Sequence, residues 1–298
     1  SLVGSEMCIR DRDNGEFKGD AISTTSELVK ISSDGNLGLQ EGQKFERGGI
    51  YRFTVDVTKG NTKAVLTVEK VGKVDLPAPD IFFGNSKMEV TDTDIYKSDQ
   101  VFTRGQMITV TGIDNLNEWW IDPDFFEKQS DGTLKFLPIN GDYRVTANGI
   151  LKYFSVIALK DGKPAKLQDD GTGAIWAIGK GIGKPSVTSS EVGWETGKAL
   201  CLAQVAPKKY QLTLKAGETL KTSGDWEAIS FKFFYQNDWG GEFSNYASNT
   251  LVEQLKLTGS GNLEMQDNKA FEEGGVYRFT IDVTNGNANA ILKVEKIN

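Results

Sequence analysis

Residues 35–70 read GNLGLQEGQKFERGGIYRFTVDVTKGNTKAVLTVEK, and residues 261–296 read GNLEMQDNKAFEEGGVYRFTIDVTNGNANAILKVEK. The two stretches align without a gap at an offset of 226 residues. Most mismatches exchange like for like: Ile50 for Val276, Val55 for Ile281, Val65 for Ile291. Within the first copy, Tyr51, Phe53, Val55 and Val57 alternate with Arg52, Thr54, Asp56 and Thr58. After Lys59-Gly60-Asn61, the residues Ala64, Leu66 and Val68 alternate with Val65, Thr67 and Glu69. Successive side chains of a strand point to opposite faces, so this pattern predicts a hairpin with one buried face and a glycine-containing turn. The second copy repeats it, with Asn285-Gly286-Asn287 at the turn. The period is too long for a solenoid and implies duplication of whole domains, an arrangement that serves binding and display more often than catalysis.

Period-two patterns recur at residues 107–111, 143–147, 153–159, 174–178, 199–205, 210–215 and 229–236. Helical periodicity is nearly absent, and the segment 249–257 is the one short helix candidate. Many short strands separated by turns predict an all-β chain of tandem β-sandwiches.

Residues 1–12, SLVGSEMCIRDR, read as translated sequencing adaptor and are set apart from the fold. On that reading, residues 13–75 are the C-terminal fragment of a first module. The run Leu76-Pro77-Ala78-Pro79 suits an extended linker. Residues 78–165 then form a complete small sandwich, and residues 170–298 a complete larger one, divided by DGKPAKLQDDGT at 161–172. A secretion signal or lipid-anchor cysteine would lie upstream of this fragment.

Composition narrows the function. A hydrophobic content of 38% and an aromatic content of 10% fit ordinary globular cores. No apolar run approaches the ~20 residues that span a bilayer. The net charge of −7 argues against nucleic acid, which needs a basic footprint. The chain has no histidine. That removes Ser-His-Asp and Cys-His catalysis, makes a zinc site improbable, and leaves carboxylates, Lys or Tyr for any acid–base work. Outside the adaptor Cys201 is the lone cysteine, set in the apolar run Ala199-Leu200-Cys201-Leu202-Ala203, and reads as a small buried hydrophobe. No cofactor or metal is expected.

The strongest chemical signal is FKFFYQNDWGGEF at residues 231–243. Ile229, Phe231, Phe233 and Tyr235 fall on one strand face, and Ser230, Lys232, Phe234 and Gln236 on the other. The second face leads into a loop with Asn237, Asp238 and Trp239. Sugars present apolar C–H faces ringed by hydroxyls. A flat indole suits the face, and Lys, Gln, Asn and Asp suit the hydroxyls. Trp194 sits in a second polar loop, and extended glycans need more than one stacking surface. The competing reading makes both tryptophans caps of the core. Trp176 reads as core, and Trp226 is open.

Three other motifs are weaker. NLNEWWIDPDFF at 115–126 carries the adjacent Trp119 and Trp120 with Asp122 and Asp124. It reads as a structural loop, a sugar or protein contact, or a calcium loop, although its spacing is not that of an EF-hand. AIWAIGKGIGKPS at 174–186 fails the phosphate-loop pattern, because Lys184 is followed by Pro185, and reads as a strand with a turn after Ile178. The carboxylate pairs Asp225 with Glu227 and Asp238 with Glu242 could serve a glycosidase only at set separations, and solvated surface is the competing reading.

With these residues in view, the chain resembles the SusE/SusF-like surface lipoproteins of bacterial glycan-uptake systems. The resemblance rests on AIWAIG at 174–179, Gly193-Trp194, FKF with the following WGGEF at 231–243, and GGVYRFTIDV at 274–283 with its hairpin partner. It covers residues 170–298 well, residues 13–72 as a fragment and the middle domain only loosely. It implies carbohydrate-binding-module-like sandwiches with an Ig-like spacer. It further implies an outer-membrane, lipid-anchored position, an oligosaccharide or polysaccharide ligand, and glycan-transporter partners. By position, Trp194 and Trp239 would stack on the sugar, with Lys232 and Gln236 beside them. In the first repeat the position of Trp239 is Asp13, although Gly15-Glu16-Phe17 matches Gly241-Glu242-Phe243, so that copy's binding is in question. The expectation is a non-catalytic glycan binder. Its rivals are a carboxylate-based glycoside hydrolase or accessory module, and a structural or adhesive surface protein.

Overall fold

The computed structural model describes residues 7–8, 21–33, 35–41, 43, 45–46, 48–74, 78–223 and 228–298. The chain is all-β and forms two compact units, residues 1–78 with 92–94, and residues 79–91 with 95–298. Among the described residues no helix is long and apolar enough to cross a membrane.

In the first unit, Gly49–Asp56 and Ala64–Lys73 form the expected hairpin, and Ile22–Thr24 lies parallel to Ala64–Lys73. Val29–Ile31 flanks Asn36–Leu39 in a second sheet, and Met7–Cys8, from the stretch expected to stand apart from the fold, pairs along its other edge. Ile22, Val29, Leu37, Ala64, Leu66 and Val68 fill the space between. The duplication holds in register. Phe53 faces Val68 as Phe279 faces Val294, and Val29 faces Leu39 as Leu255 faces Met265, at the offset of 226. The two copies differ at one edge. Val276–Asp282 has a further neighbour, Lys209–Lys215, so Tyr277, Phe279 and Ile281 are buried. Gly49–Asp56 is an edge strand among the described residues, and Tyr51, Phe53 and Val55 are only half-buried.

The second unit holds two hydrophobic cores. In the first, Lys163–Pro164, Tyr153–Lys160, Gly141–Asn148 and Ile95–Phe102 lie side by side. They face two small sheets built on Phe126–Lys128 with Leu134–Phe136 and on Phe82–Phe83 with Val110–Thr111. Phe83, Phe102, Phe126, Phe136 and Phe154 meet at its centre. In the second core, one sheet runs Glu191–Gly193, Trp176–Gly183, Ser230–Phe234, Leu263–Met265, Leu255–Leu257. The opposing sheet runs Ala203–Ala206, Lys209–Lys215, Val276–Asp282, Ile291–Lys296, Ser248–Thr250. Phe231 and Phe233 pack on Phe279 across the gap at 5.5 and 6.5 Å. Cys201 is buried there as a free thiol, and burial pushes its pKa up to about 12.

Two expectations need correction. The helix at 249–257 is absent: Ser248–Thr250 pairs with Ile291–Lys296, and Leu255–Leu257 pairs with Leu263–Met265. Sheet partners override a short apolar spacing. The single α-helix among the described residues is instead Val187–Ser190, capped by Ser186, whose hydroxyl accepts from the Ser189 N–H at 3.2 Å. The turn after Ile178 is also absent, because the strand continues as Trp176–Gly183. Its glycines serve close approach. A Cβ on Gly179 would lie 2.3 Å from the Phe231 Cα, and one on Gly183 2.3 Å from the Ser190 carbonyl oxygen. Gly179 and Gly181, at φ +140° and +82°, also adopt conformations that side chains disfavour.

Candidate functional site

The site is built on the strand Trp176–Gly183. Glu191–Gly193 flanks it on one side and Ser230–Phe234 on the other. Trp194 follows the first flank and Trp239 lies in the loop after the second. The two indoles meet, with centroids 6.3 Å apart and planes 27° from parallel. Trp239 is 52% exposed, whereas Trp194 is half-buried and packs on the core. Phe231 and Phe233 point inward, so Lys232 and Phe234 point outward. Phe234 is nonetheless buried, with the Trp239 ring against it at 6.0 Å and 74°. The outer face therefore carries the exposed Trp239 over the buried Phe234, with the half-buried Trp194 beside it.

The loop 235–242 is closed by backbone. The Tyr235 N–H donates to the Gly241 carbonyl at 2.7 Å, the Phe243 N–H donates to Phe233 at 2.9 Å, and Phe234 bridges to Glu242. Gly240 and Gly241, at φ +83° and +72°, make the return that leaves Trp239 at the tip. Two of the expected polar contacts shape this loop instead of facing outward freely. Gln236 Nε2 donates to the Trp239 carbonyl at 2.7 Å, and the Trp239 N–H donates to Asp238 Oδ1 at 2.7 Å. Asp238 is exposed, and Asn237 is half-buried between them. Lys232 is half-buried on the outward face and forms no hydrogen bond or ion pair among the described residues. Two surface grooves elsewhere, of about 580 Å³ beside Ile22 and Lys30 and about 330 Å³ beside Lys87 and Asp99, carry no aromatic side chain.

The second candidate surface, at Trp119 and Trp120, is placed differently. Trp119 is buried, stacked on Phe154 at 4.6 Å, and has no face left for a ligand. Trp120 is half-buried, edge-on to Tyr153 at 5.4 Å, and its Nε1 donates to Glu218 at 2.5 Å. Asp122 and Asp124 are buried against Lys184, so their oxygens serve an internal ion pair and not a calcium loop. Among the described residues no group of three or more His, Cys, Asp or Glu is placed to hold a metal ion. Asp225, Trp226 and Glu227 lie outside the described residues. Lys184 is the residue that sequence reasoning missed. It stands 62 residues from Asp122 in the chain, and no local pattern links the two.

The sequence matches two families. The one described as Domain of unknown function (DUF5121) matches residues 6–58 and 170–284, more than half of the chain. The one described as Domain of unknown function (DUF5125) matches residues 76–167. No curated protein matches the chain.

Proposed function

The chain belongs to the family described as Domain of unknown function (DUF5121), and from the geometry of its paired tryptophans we propose that it binds a polysaccharide or oligosaccharide without catalysis. The observation that carries this reading is the near-parallel Trp194–Trp239 pair, with Trp239 half in water at the tip of a polar loop. An exposed indole fixed in place is what a sugar's C–H face needs. Lys232 and Asn237 would meet the hydroxyls, and Gln236 and Asp238 hold the loop. The surface is open rather than a cavity, so single sites are weak, and repeated modules would supply avidity. On this reading the protein works at the bacterial cell surface, lipid-anchored to the outer membrane, and passes glycan to a transporter. The resemblance of residues 174–283 to SusE/SusF-like lipoproteins supports that placement.

The test is electrophoresis of the full chain through gels containing starch, xylan, β-glucan, mannan or pectin, beside Trp239→Ala and Trp194→Ala. Retardation by one polysaccharide, lost in either folded variant, is the expected result. Equal mobility in every gel would overturn the proposal in favour of tryptophans that only pack.

A further inference from the structure

The proposed function leaves one group of side chains unused. Lys184, Asp122 and Asp124 are 4%, 2% and 1% exposed. Lys184 Nζ lies 2.9 and 2.7 Å from the two oxygens of Asp122 and 3.1 Å from Asp124 Oδ2. The Trp120 ring stands 5.9 Å from the same nitrogen. Removing charges from water costs several kcal/mol per ion, and an apolar replacement of such a group is often neutral or stabilising. Stability alone is therefore a poor account of a buried amine with two buried carboxyls.

The two carboxyls are not equivalent. Asp124 accepts from the Thr213 N–H and Oγ1, both at 2.6 Å, and from Gln211 Nε2 at 2.8 Å. Asp122 accepts, besides Lys184, the Asp124 N–H at 3.0 Å. Burial dominates at Asp122 and pushes its carboxyl up. Burial also pushes Asp124 up, but Lys184, Thr213 and Gln211 outweigh it and hold that carboxyl low. Burial pushes Lys184 down, and the two carboxyls outweigh it. Three donors besides Lys184 serve the Asp124 carboxylate and one serves Asp122, so Asp122 is the carboxyl that can carry a proton while Asp124 stays anionic and Lys184 an ammonium.

We propose that Lys184 and Asp122 condense to an isopeptide bond, with Asp124 shuttling the protons. Asp124 takes one proton from the ammonium. The freed amine attacks Asp122 Cγ, forming the N–C bond. A second nitrogen proton passes through Asp124 to the Asp122 hydroxyl, the C–O bond breaks, and water leaves. The third proton stays on the amide nitrogen, and Asp124 ends protonated. No oxidant or cofactor is needed. Fixed contact between the reacting groups is worth effective molarities of about 10⁵–10⁸ M, and Asp124 is the base that frees the amine. The bond would tie the loop of the first core to the strand end of the second, joining residues 62 apart. It does not depend on glycan binding.

Intact-mass spectrometry of the purified full chain tests this. The expected mass is lower than the sequence mass by one water, and proteolysis should release a branched peptide joining the segments around Asp122 and Lys184. Asp124→Asn, which keeps the shape and removes the shuttle, should slow bridging about a hundredfold after refolding. An intact mass at the full sequence value after long incubation would overturn the proposal. So would a one-water deficit with no branched peptide, the mark of an aspartate succinimide. An unchanged rate in Asp124→Asn would overturn the shuttle.

Discussion

Trp239→Ala separates a binding surface from a core cap by magnitude. The side chain is 52% exposed. A fully enclosed tryptophan removes roughly 150–250 Å² from water, so about 100 Å² is buried here. At about 25 cal/mol per Å² this is at most about 2.5 kcal/mol of stability, an upper bound because the unfolded chain is itself partly collapsed. For a unit of this size that corresponds to a Tm decrease of up to about 5–10 °C. The exposed half offers a similar area to a ligand, and losing it would weaken binding by up to about 50–100-fold. Trp176, 2% exposed and bonded through Nε1 to the Ala165 carbonyl at 3.0 Å, is the internal comparison. Its truncation should cost about 3–5 kcal/mol. The assay pairs thermal unfolding with gel retardation for Trp239→Ala and Trp176→Ala. A Tm loss for Trp239→Ala as large as that for Trp176→Ala, with retardation intact, would refute the reasoning.

Deleting residues 1–77 should leave a chain that unfolds in a cooperative transition, since residues 79–298 hold their own two cores; a broad transition in urea would contradict this. Gly179→Ala should destabilise by more than about 3 kcal/mol, because its Cβ would meet backbone at 2.3 Å and no flexible side chain can yield; a shift of the urea midpoint smaller than that of Trp239→Ala would count against it. Glu191 accepts from the Gly181 N–H at 2.8 Å and from Lys221 Nζ at 3.0 Å. Burial raises its carboxyl, but these donors outweigh it, so its pKa lies below the ordinary 4.5. Its stabilisation is therefore present above 4.5 and is lost as pH falls through the lowered value. Glu191→Gln should flatten that acid decline, measured as urea midpoints at neutral and acid pH; parallel declines would contradict it.

The repeated hairpin was legible because alternation and burial coincide: Tyr277, Phe279 and Ile281 are the alternating apolar residues and the buried ones. Segment 249–257 was misread because its apolar spacing fits a helix, while the partners that make it strand lie at 263–265 and 291–293. The glycines at 179–183 look like a turn in sequence, and only the neighbouring backbone at Phe231 and Ser190 explains them. The candidate site was legible by residue type but not by contact. Nothing local says that Trp194 and Trp239 meet, or that Gln236 turns back onto the loop. Asp122 and Asp124 were visible as carboxylates, and Lys184 as a failed phosphate loop. Their meeting depends on how the two cores of the second unit join.

An open aromatic surface raises the question of how it could hold a ligand that buries little area. The answer lies in what is fixed before binding. Ordering a mobile side chain costs about 0.5–1.5 kcal/mol on association, and ordering a loop costs more. Here the hydrogen bond from Gln236 to the Trp239 carbonyl, the one from the Trp239 N–H to Asp238, and the Tyr235–Gly241 closure fix the loop. Trp194 is fixed separately by packing on the core, and the near-parallel contact sets the angle between the two rings. The ordering is thus completed during folding, and the free energy of stacking is not spent on it again. On the proposed reading Gln236 and Asp238 would act on affinity through Trp239, while Lys232, without a partner among the described residues, would with Asn237 be left to touch a sugar.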